Sequence, residues 1–339
     1  MDMEVLFISR KAGSGINPFV AEQASAITDH CGIAVQHFLI SKGGVAGYWQ
    51  AIVALRQMLR NHAIQLVHVH YGLWAFTAIA ARFLARRRIP IVITFHGSDL
   101  NKPKERPVSV LASRFAAHNI LVWPQMRQYV KKNYSVIPCG VQTNVPLIYR
   151  EKTRNEMGWS PATFVVLFAS SFDRPVKDPA FANEVVATLR QQTQSPIVFV
   201  EMKGFNRHQL NRMMQAADAL LMCSHSEGSP QVIKEAIVNG LPVVANNVGE
   251  VGDICAGVDH CYILPKNIPA YVQCLQALMQ SRERIICRQP VVDRYDANMI
   301  ADRIASIYTG LAAKKPQSQP TVLQHQTETN LTHSHEHSH

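Results

Sequence analysis

The chain has 339 residues, of which 47% are hydrophobic and 17% charged, a composition typical of a globular protein with two ordinary domains. No apolar run approaches the roughly 18–20 residues of a membrane-spanning helix, and the N-terminal run MDMEVLFIS predicts a β-strand rather than a signal peptide. The net charge of +10 lies in the first half, because residues 1–150 hold 17 Lys/Arg and 6 Asp/Glu, and residues 151–339 hold 17 and 18. This asymmetry indicates either a solvated basic face or attraction to an anionic partner, such as a membrane surface, a phosphorylated acceptor or a nucleic acid.

The cysteine pattern bears on the compartment. The chain has seven cysteines, an odd number, without a C-x-x-C pair, and several lie in apolar runs such as ALLMCS. Disulfide frameworks and zinc sites usually show an even count or paired spacing. We therefore expect buried free thiols in a reducing cytoplasm.

Short apolar strands alternate with helical patterns along the whole chain. In the first half the predicted strands are residues 3–9, 34–40, 64–70, 90–97, 119–123 and 134–140. In the second half they are residues 164–171, 196–202, 219–224, 242–247 and 261–265. Strands that are apolar on both faces and separated by helices predict parallel sheets with covered faces. Two such series in a row predict the α/β fold class, with two Rossmann-like, doubly wound domains.

The strand pattern lapses near residues 141–160, which marks a domain boundary. We expect one domain over residues 1–147, a second over 148–293, and a C-terminal amphipathic helix over 294–312. Residues 313–339 form a polar, low-complexity, His-rich tail that we expect to be disordered. The alternating histidines could bind a metal ion, but a solvated tail is the simpler interpretation.

The segment HSEGSPQVIKEAIVNGLPVV (residues 225–244) predicts a loop and a helix after the strand 219–224. Ligands of open parallel sheets bind at the carboxyl ends of strands, and a helix N-terminus favours an anion. Glu227 in the loop and Glu235 in the helix would flank that anion. Ribose, pyrophosphate and sugar have this layout in a nucleotide sugar. The alternative is that Glu227 only complements the helix dipole and Glu235 lies on the surface.

Several motifs together resemble those of retaining glycosyltransferases of family 4, which have the two-domain GT-B fold. SEGSPQVIKEAIVNGLPVVANNVGEVGDI is similar to the Glu-x₇-Glu donor segment and the Gly-containing loop that follows it. IPCGVQTN, TFHGSDL and SGINPFVAEQASAI are similar to other segments of the family pattern. The resemblance spans Val5 to about Leu311. It implies that residues 1–147 bind the acceptor and residues 148–293 bind a nucleoside-diphosphate sugar.

The resemblance implies roles for five residues of the donor segment. Glu235 is expected to hold the ribose hydroxyls of the nucleotide, and Glu227 the hydroxyls of the donor sugar. The loop formed by Gly228, Ser229 and Pro230 is expected to bring backbone amides close to the sugar and the diphosphate. Glu227 is thus both a donor-binding and a catalytic candidate.

Two cations after the strand 164–171 resemble the basic pair that clamps the pyrophosphate. These are Arg174 and Lys177, which we expect both to bind the donor and to act in catalysis. Fixed cations suit a leaving diphosphate when no metal is present, so we expect neither a metal site nor a cofactor. The alternative is an exposed basic turn.

The first domain contributes four further candidates through the resemblance. His96 is expected beneath the donor sugar, where it would stabilise charge or orient the acceptor. Asp99 would orient neighbouring groups or contact the acceptor. Gly15 is expected to approach the donor and Gly13 the acceptor, since glycine allows close backbone approach.

The chain also departs from the family pattern. Cys139 and Gln142 stand where Asn and Asp are usual, and Asp253 stands where Glu is common. Arg174 is displaced by two residues from the usual basic position. These differences leave the identity of the donor open.

Two other functions were weighed. A dinucleotide-dependent oxidoreductase is disfavoured because GSGINP (13–18) has Pro18 where the third glycine of G-x-G-x-x-G belongs. A non-enzymatic nucleic-acid- or membrane-binding α/β protein stays the alternative, although the basic first half lacks a ladder of interleaved aromatic residues and no nucleic acid is expected.

The sequence thus predicts a metal-independent glycosyltransferase that retains the anomeric configuration. The expected partners are a nucleotide-sugar donor, a glycan or lipid-linked acceptor, and an anionic membrane surface contacted by the N-terminal domain. Its expected role is cell-envelope or exopolysaccharide biosynthesis, in the cytoplasm and at the inner face of the membrane.

Overall fold

Two parallel β-sheets, each with helices on both faces, form the described part of the chain. We describe residues 3–13, 15–61 and 63–313 in a computed structural model. Each of the eleven predicted strands is present, and most are shorter than predicted. Residues 314–339 of the predicted tail lie outside the described residues.

The first sheet consists of six parallel strands: β1 (Glu4–Arg10), β2 (Ala34–Ile40), β3 (Leu66–His70), β4 (Ile91–Phe95), β5 (His118–Leu121) and β6 (Tyr134–Val136). In space they lie in the order β2-β1-β3-β4-β5-β6. The order reverses between β1 and β3, so the loops after these two strands diverge and leave a crevice.

The second sheet consists of five parallel strands: β7 (Phe164–Phe168), β8 (Ile197–Glu201), β9 (Ala219–Met222), β10 (Val243–Ala245) and β11 (Cys261–Ile263). Their order is β11-β10-β9-β7-β8. The reversal here falls between β7 and β9, so each sheet has a switch point at the corresponding pair of strands.

Thirteen helices connect the strands in the described ranges. They are α1 (Pro18–Cys31), α2 (Gly44–Asn61), α3 (Ala75–Leu84), α4 (Ser98–Asn101), α5 (Arg106–Ser113), α6 (Arg150–Glu156), α7 (Pro179–Gln191), α8 (Arg207–Ala216), α9 (Gln231–Val238), α10 (Val251–Cys255), α11 (Ile268–Ser281), α12 (Gln289–Tyr295) and α13 (Ala297–Ala313). Several have proline in their first turn, where its fixed φ and missing N–H are well tolerated. Within these ranges no helix has the length and apolar character needed to cross a membrane.

The continuous apolar runs in the sequence correspond to strands that are covered on both faces. Every residue of β3, β4, β7 and β9 is buried. Each sheet therefore has two core layers, one on each face. Burying one Leu, Ile or Val side chain contributes about 1.5–3 kcal/mol, so these layers dominate the stability of both lobes.

The chain returns from the second lobe to the first at its C-terminal end. The Val141 N–H donates to the Tyr295 carbonyl (2.8 Å), and the Ala297 N–H donates to the Val141 carbonyl (2.9 Å). Helix α13 then packs on the first lobe, where Ile304 and Tyr308 join the core beneath α1. The sequence therefore did not reveal which lobe this helix would join.

The last helix begins later than the predicted residue 294. Asp296 has an extended conformation (ψ 133°), which separates α12 from α13. Its Oδ1 accepts hydrogen bonds from the N–H groups of Asn298 (2.9 Å) and Met299 (3.2 Å). Asp296 therefore caps α13 at its start, which periodicity alone did not indicate.

Candidate active site

The carboxyl edges of the two sheets face each other across a crevice between the lobes. In the second lobe, Lys177 lies in the loop after β7 and Glu227 in the loop after β9. In the first lobe, His96 and Gly97 follow β4. The Gly97 and Gly228 backbones touch, since a Cβ placed on Gly97 would lie 2.9 Å from the Gly228 Cα. Most of the predicted site residues therefore lie on loops at the carboxyl edges of the two sheets, where ligands of such folds bind.

Lys177 and Glu227 form an ion pair across the switch point of the second sheet. Lys177 Nζ lies 2.5 Å from Glu227 Oε1, and each side chain is only 12% exposed. A 3-10 turn, Pro175–Lys177, presents the lysine, and it ends at Asp178 in the left-handed conformation (φ 53°). Asp178 Oδ1 then accepts from the Phe181 N–H (3.2 Å), which starts α7. The pair places a cation and an anion side by side where neither is well hydrated.

Arg174, the second predicted cation, differs from Lys177 in its exposure and in its lack of a carboxylate partner. It is exposed, and its Nη1 lies 3.5 Å from Ser170 Oγ. No carboxylate of the described residues is within ion-pair distance of it. Arg174 thus keeps its full charge for an external anion, whereas Lys177 shares its charge with Glu227.

Glu235 is a buried residue rather than a surface one. Its side chain is 9% exposed, and its Oε1 lies 2.6 Å from Arg207 Nη1, at the start of α8. Arg207 also donates from Nε to Glu22 Oε1 on α1 (2.5 Å). Burial raises the pKa of Glu22, although the Arg207 guanidinium opposes that shift. Glu22, Arg207 and Glu235 therefore form a charge bridge between the lobes, beside the predicted ribose site.

Glycine is required where the two lobes touch. A Cβ on Gly228 would lie 2.5 Å from the His96 carbonyl oxygen, and one on Gly249 (φ 59°) would lie 2.5 Å from the Gly228 carbonyl oxygen. The Glu250 N–H donates to that Gly228 carbonyl (2.8 Å). Real Cβ atoms do not approach main-chain oxygens this closely, so a larger residue at either position would push the lobes or loops apart.

Lys234 supports the loop of predicted donor residues from below. It is fully buried, and its Nζ donates to Ser229 Oγ (2.6 Å) and to the Cys139 carbonyl (2.8 Å). Its Nζ also lies 4.3 Å from the centre of the Tyr295 ring. Burial lowers the pKa of Lys234. Lys234 thus binds the Ser229 hydroxyl oxygen, and Pro230, the buried residue before α9, has no N–H to offer a donor.

His96 is held as a neutral imidazole. Its Nε2 lies 3.2 Å from His70 Nδ1, and its Nδ1 lies 3.7 Å from Cys139 Sγ. Its ring packs against Phe19 of α1, with the centroids 4.8 Å apart. Burial lowers the pKa of His96 to about 4. At neutral pH this side chain can orient a group by hydrogen bonding, but it does not carry a charge.

Of the two roles predicted for Asp99, its contacts fit the orienting of neighbouring groups and not contact with an acceptor. It has no exposed surface. Its Oδ2 accepts from the N–H groups of Gly72 (3.2 Å) and His96 (3.3 Å), and its Oδ1 accepts from Gly97 N–H (3.0 Å). Burial raises its pKa to about 6, although these backbone donors oppose the shift. Asp99 thus fixes the loop that meets Gly228, and its carboxylate does not reach the crevice surface.

Gly13 and Gly15 belong to a tight turn after β1. The Ala12 N–H donates to the Gly15 carbonyl (2.9 Å), and Gly15 N–H donates to the Ala12 carbonyl (3.0 Å). Gly13 has φ 54°, and a Cβ at either glycine would meet no atom within 4 Å. This loop therefore leaves free space next to its backbone, and its predicted role toward donor or acceptor stays a prediction.

Three residues of the site, Glu22, Arg207 and Lys234, were not among the candidates from the sequence. Arg207 lies 28 residues from Glu235 and 185 residues from Glu22, so no local spacing linked them. It opens α8 behind an Asn206/Gln209 capping box, which predicts only a helix start. Lys234 stands next to Glu235 in the sequence, and its apolar neighbours were the only hint of its burial.

Comparison with known families agrees with this geometry. The model of "Glycosyltransferase Family 4" matches residues 4–145, which contain the first sheet. The model of "Glycosyl transferases group 1" matches residues 184–281, which contain Glu227 and Glu235. Together the two matched ranges span well over half of the chain.

Individual proteins are similar to this chain in sequence or in fold. TuaC of Bacillus subtilis (strain 168), provisionally named a teichuronic acid biosynthesis glycosyltransferase, is 25% identical over 235 residues, which are 62% of this chain and 60% of TuaC. The sucrose-phosphate synthase structure from Thermosynechococcus elongatus has a TM-score of 0.73 at 16% identity and covers 92% of this chain and 100% of its own. Anabaena HepE, solved with UDP and glucose, has a TM-score of 0.69 at 18% identity and covers 91% and 99%. The chain has the predicted GT-B fold and belongs to the family 4 glycosyltransferases.

Proposed function

We propose that the protein transfers a sugar from a nucleoside-diphosphate sugar to an acceptor hydroxyl, with retention of the anomeric configuration. One observation carries this proposal: two cations and two carboxylates lie on the loops and the helix that follow β7 and β9, the strands on either side of the second sheet's switch point. These are Arg174, Lys177, Glu227 and Glu235. A diphosphate flanked by two hydroxyl-bearing groups needs this combination of charges.

The donor is proposed to enter by exchanging partners with the existing ion pairs. Lys177 would turn from Glu227 to a phosphate oxygen, and Glu227 would then accept from hydroxyls of the donor sugar. Glu235 would share its carboxylate between Arg207 and the ribose hydroxyls. Because Lys177 and Glu235 are already paired, donor binding at these two residues replaces charge contacts instead of burying bare charges.

In the proposed reaction the bond between the anomeric carbon and the diphosphate oxygen breaks, and the electron pair leaves with the diphosphate. The acceptor oxygen forms its bond to the anomeric carbon on the same face, and its proton passes to the leaving diphosphate. Arg174 and Lys177 stabilise the developing negative charge, so no metal ion is required. Neutral His96 orients reactants beneath the sugar, and the contact between Gly97 and Gly228 closes the crevice against water.

The donor is proposed to be a UDP-sugar, because HepE of the same fold was solved with UDP and glucose. The name of TuaC refers to teichuronic acid biosynthesis, which supports a role in cell-envelope or exopolysaccharide biosynthesis. The acceptor would be a glycan or a lipid-linked glycan bound by residues 1–147. We place the reaction in the cytoplasm, at the inner face of the membrane.

The decisive experiment is a thermal-shift panel of UDP-, GDP- and ADP-sugars. A specific donor stabilises the folded protein by RT ln(1 + [L]/Kd), so one base should stand out. The matching donor, mixed with candidate acceptor glycans, should give a product with the donor's anomeric configuration by NMR. Absence of any sugar-nucleotide shift would refute the donor assignment, an inverted anomer would refute retention, and loss of activity with a chelator would refute metal independence.

A further inference from the structure

One face of the first lobe combines exposed apolar side chains with a wide groove. The groove between α2 and α3 has a volume of about 1630 Å³. On α3 its apolar lining repeats every three or four residues, so it forms one helical face: Phe76, Ile79, Ala80, Phe83 and Leu84. Phe83 is 80% exposed, which is unusual for a phenylalanine that has no role at the surface.

Helix α2 continues the apolar surface toward the crevice. Val45, Trp49 and Val53 are four residues apart and therefore lie in one stripe along the helix. They are 89%, 61% and 44% exposed. With Phe83 and Leu84 they form what we call the α2–α3 face.

Arginines surround this face. Six line the groove: Arg56, Arg60, Arg82, Arg86, Arg87 and Arg88. The sequence has no Asp or Glu between Asp29 and Asp99. None of the ion pairs formed within the described residues includes one of the six. Their positive charge is therefore not balanced within this surface.

Local hydrogen bonds order several of these arginines without neutralising them. Arg56 and Arg60 both donate to the Leu84 carbonyl (3.3 and 3.4 Å). Arg87 donates to the Leu59 carbonyl (3.1 Å). A guanidinium bound to a carbonyl keeps both its charge and its remaining N–H groups for an external anion.

We infer that the α2–α3 face docks the protein onto a bilayer that contains anionic lipids. The guanidinium groups would bind headgroup phosphates, and the stripe from Val45 to Val53 with Phe83 would enter the boundary between headgroups and acyl chains. Stable peripheral binding needs both an apolar and a basic contribution, and this face supplies both. The aliphatic residues of the stripe gain nothing from nucleic acid, whose backbone is polar.

The position of the face differs from that of the crevice. Helix α2 follows β2 and α3 follows β3, so both begin at the sheet edge that carries His70 and His96. The six arginines and Phe83 lie near or just after the C-terminal ends of these helices, so the face runs along the flank of the first lobe, away from the crevice. This inference gives the proposed membrane association a location, and it does not depend on sugar transfer.

Co-sedimentation of the full chain with vesicles, without any sugar nucleotide, tests the inference. The probes are pure phosphatidylcholine vesicles and phosphatidylcholine vesicles with about one third phosphatidylglycerol. We expect salt-sensitive binding to the anionic vesicles and little binding to the neutral ones. The double variant R86Q/R88Q should bind the anionic vesicles at least about tenfold more weakly than wild type. The double variant W49S/F83S should show a loss of the same size.

Matched controls remove the same charge or apolar area elsewhere. K131Q/K132Q removes two exposed lysines of the first lobe, and I286S removes an 84% exposed isoleucine of the second lobe. Both should bind within about twofold of wild type. Equal binding by R86Q/R88Q and K131Q/K132Q would overturn the inference. So would salt-sensitive binding to RNA without binding to vesicles, which would assign the face to nucleic acid instead.

Discussion

In the second sheet, the loops at the carboxyl edge pair a lysine with a glutamate, whereas the loops of the first sheet that face them carry glycines and a neutral histidine. In the second lobe, Lys177 and Glu227 pair across the switch point, with Arg174 nearby. In the first lobe, Gly13 follows β1 and His96 follows β4, and burial keeps the imidazole uncharged. One topology thus supports two chemistries, because the strand order fixes only where a ligand lies and the loop side chains decide what it is.

If the second lobe stabilises the leaving diphosphate, Lys177→Ala should have the largest effect. Turnover should fall roughly 10²–10³-fold, as for other lost charge stabilisers, with little change in thermal unfolding. Steady-state kinetics and a melting curve measure the two quantities. Lys203→Ala is the control, because Lys203 pairs with Asp173 in the same lobe but both side chains are about 60% exposed. Equal losses in the two variants would contradict a specific role for Lys177.

Substitutions in the charge bridge of Glu22, Arg207 and Glu235 can distinguish donor binding from contact between the lobes. Glu235→Gln should weaken nucleotide affinity by roughly tenfold to a hundredfold, since a hydrogen bond to a charged group contributes about 1.5–3 kcal/mol. Glu22→Gln removes the other carboxylate of Arg207 and should change that affinity by less. Isothermal titration with the nucleotide measures both. If Glu22→Gln weakened binding as much as Glu235→Gln, the assignment of the donor to the second lobe would be wrong.

The neutral histidines predict acid sensitivity in the first lobe. Burial lowers the pKa of His68 to about 3 and that of His96 to about 4, whereas an unfolded histidine titrates near pH 6.5. As pH falls below about 6.5, the unfolded chain takes up protons that the folded protein does not, so stability falls by up to about 1.4 kcal/mol per pH unit for each histidine. His68→Gln should reduce this slope in urea unfolding between pH 7 and 5. The same change at exposed His208 of the second lobe should leave it as in wild type.

The glycine contact links the two lobes, and Gly228→Ala should have the smallest of these effects. The added Cβ meets the His96 carbonyl oxygen at 2.5 Å, so the lobes must separate slightly. We expect turnover to fall about fivefold, with a smaller loss of nucleotide affinity, because the added Cβ acts mainly by moving the two lobes apart. Gly310→Ala, where a Cβ meets nothing within 4 Å, serves as the control. If Gly228→Ala lost as much nucleotide affinity as turnover, the effect would come from the loop itself and not from the contact between the lobes.

Much of the fold could be predicted from local patterns. Apolar runs predicted the eleven strands. Several strands end earlier than predicted, where the backbone turns into the following loop. The strand predicted over residues 90–97 ends at Phe95, since Gly97 adopts φ 113° and Asp99 ties the following N–H groups into a loop. Apolar composition does not distinguish a strand end from a buried loop, so hydrophobic periodicity could not predict boundaries of this kind.

The sequence proposed several residues of the candidate site, and their roles stay predictions. Motifs identified Glu227, Glu235 and Lys177, and the structure brings Lys177 and Glu227 into direct contact. The partner of Glu235 was missed, because Arg207 comes from a different helix and has no motif of its own. Asp99 was given two roles, of which its burial favours the structural one.

By itself the sequence determined the succession of strands and helices, the two-lobed α/β class and the family, since each follows from periodicity and motifs within short stretches of chain. Only the tertiary structure decided that Lys234 is buried under the loop of Gly228, Ser229 and Pro230, that Arg207 bridges the lobes, and that α13 packs on the first lobe. These features join residues that are far apart in the sequence. Their energies depend on burial and on distances of a few ångströms, which exist only once both lobes have folded and met.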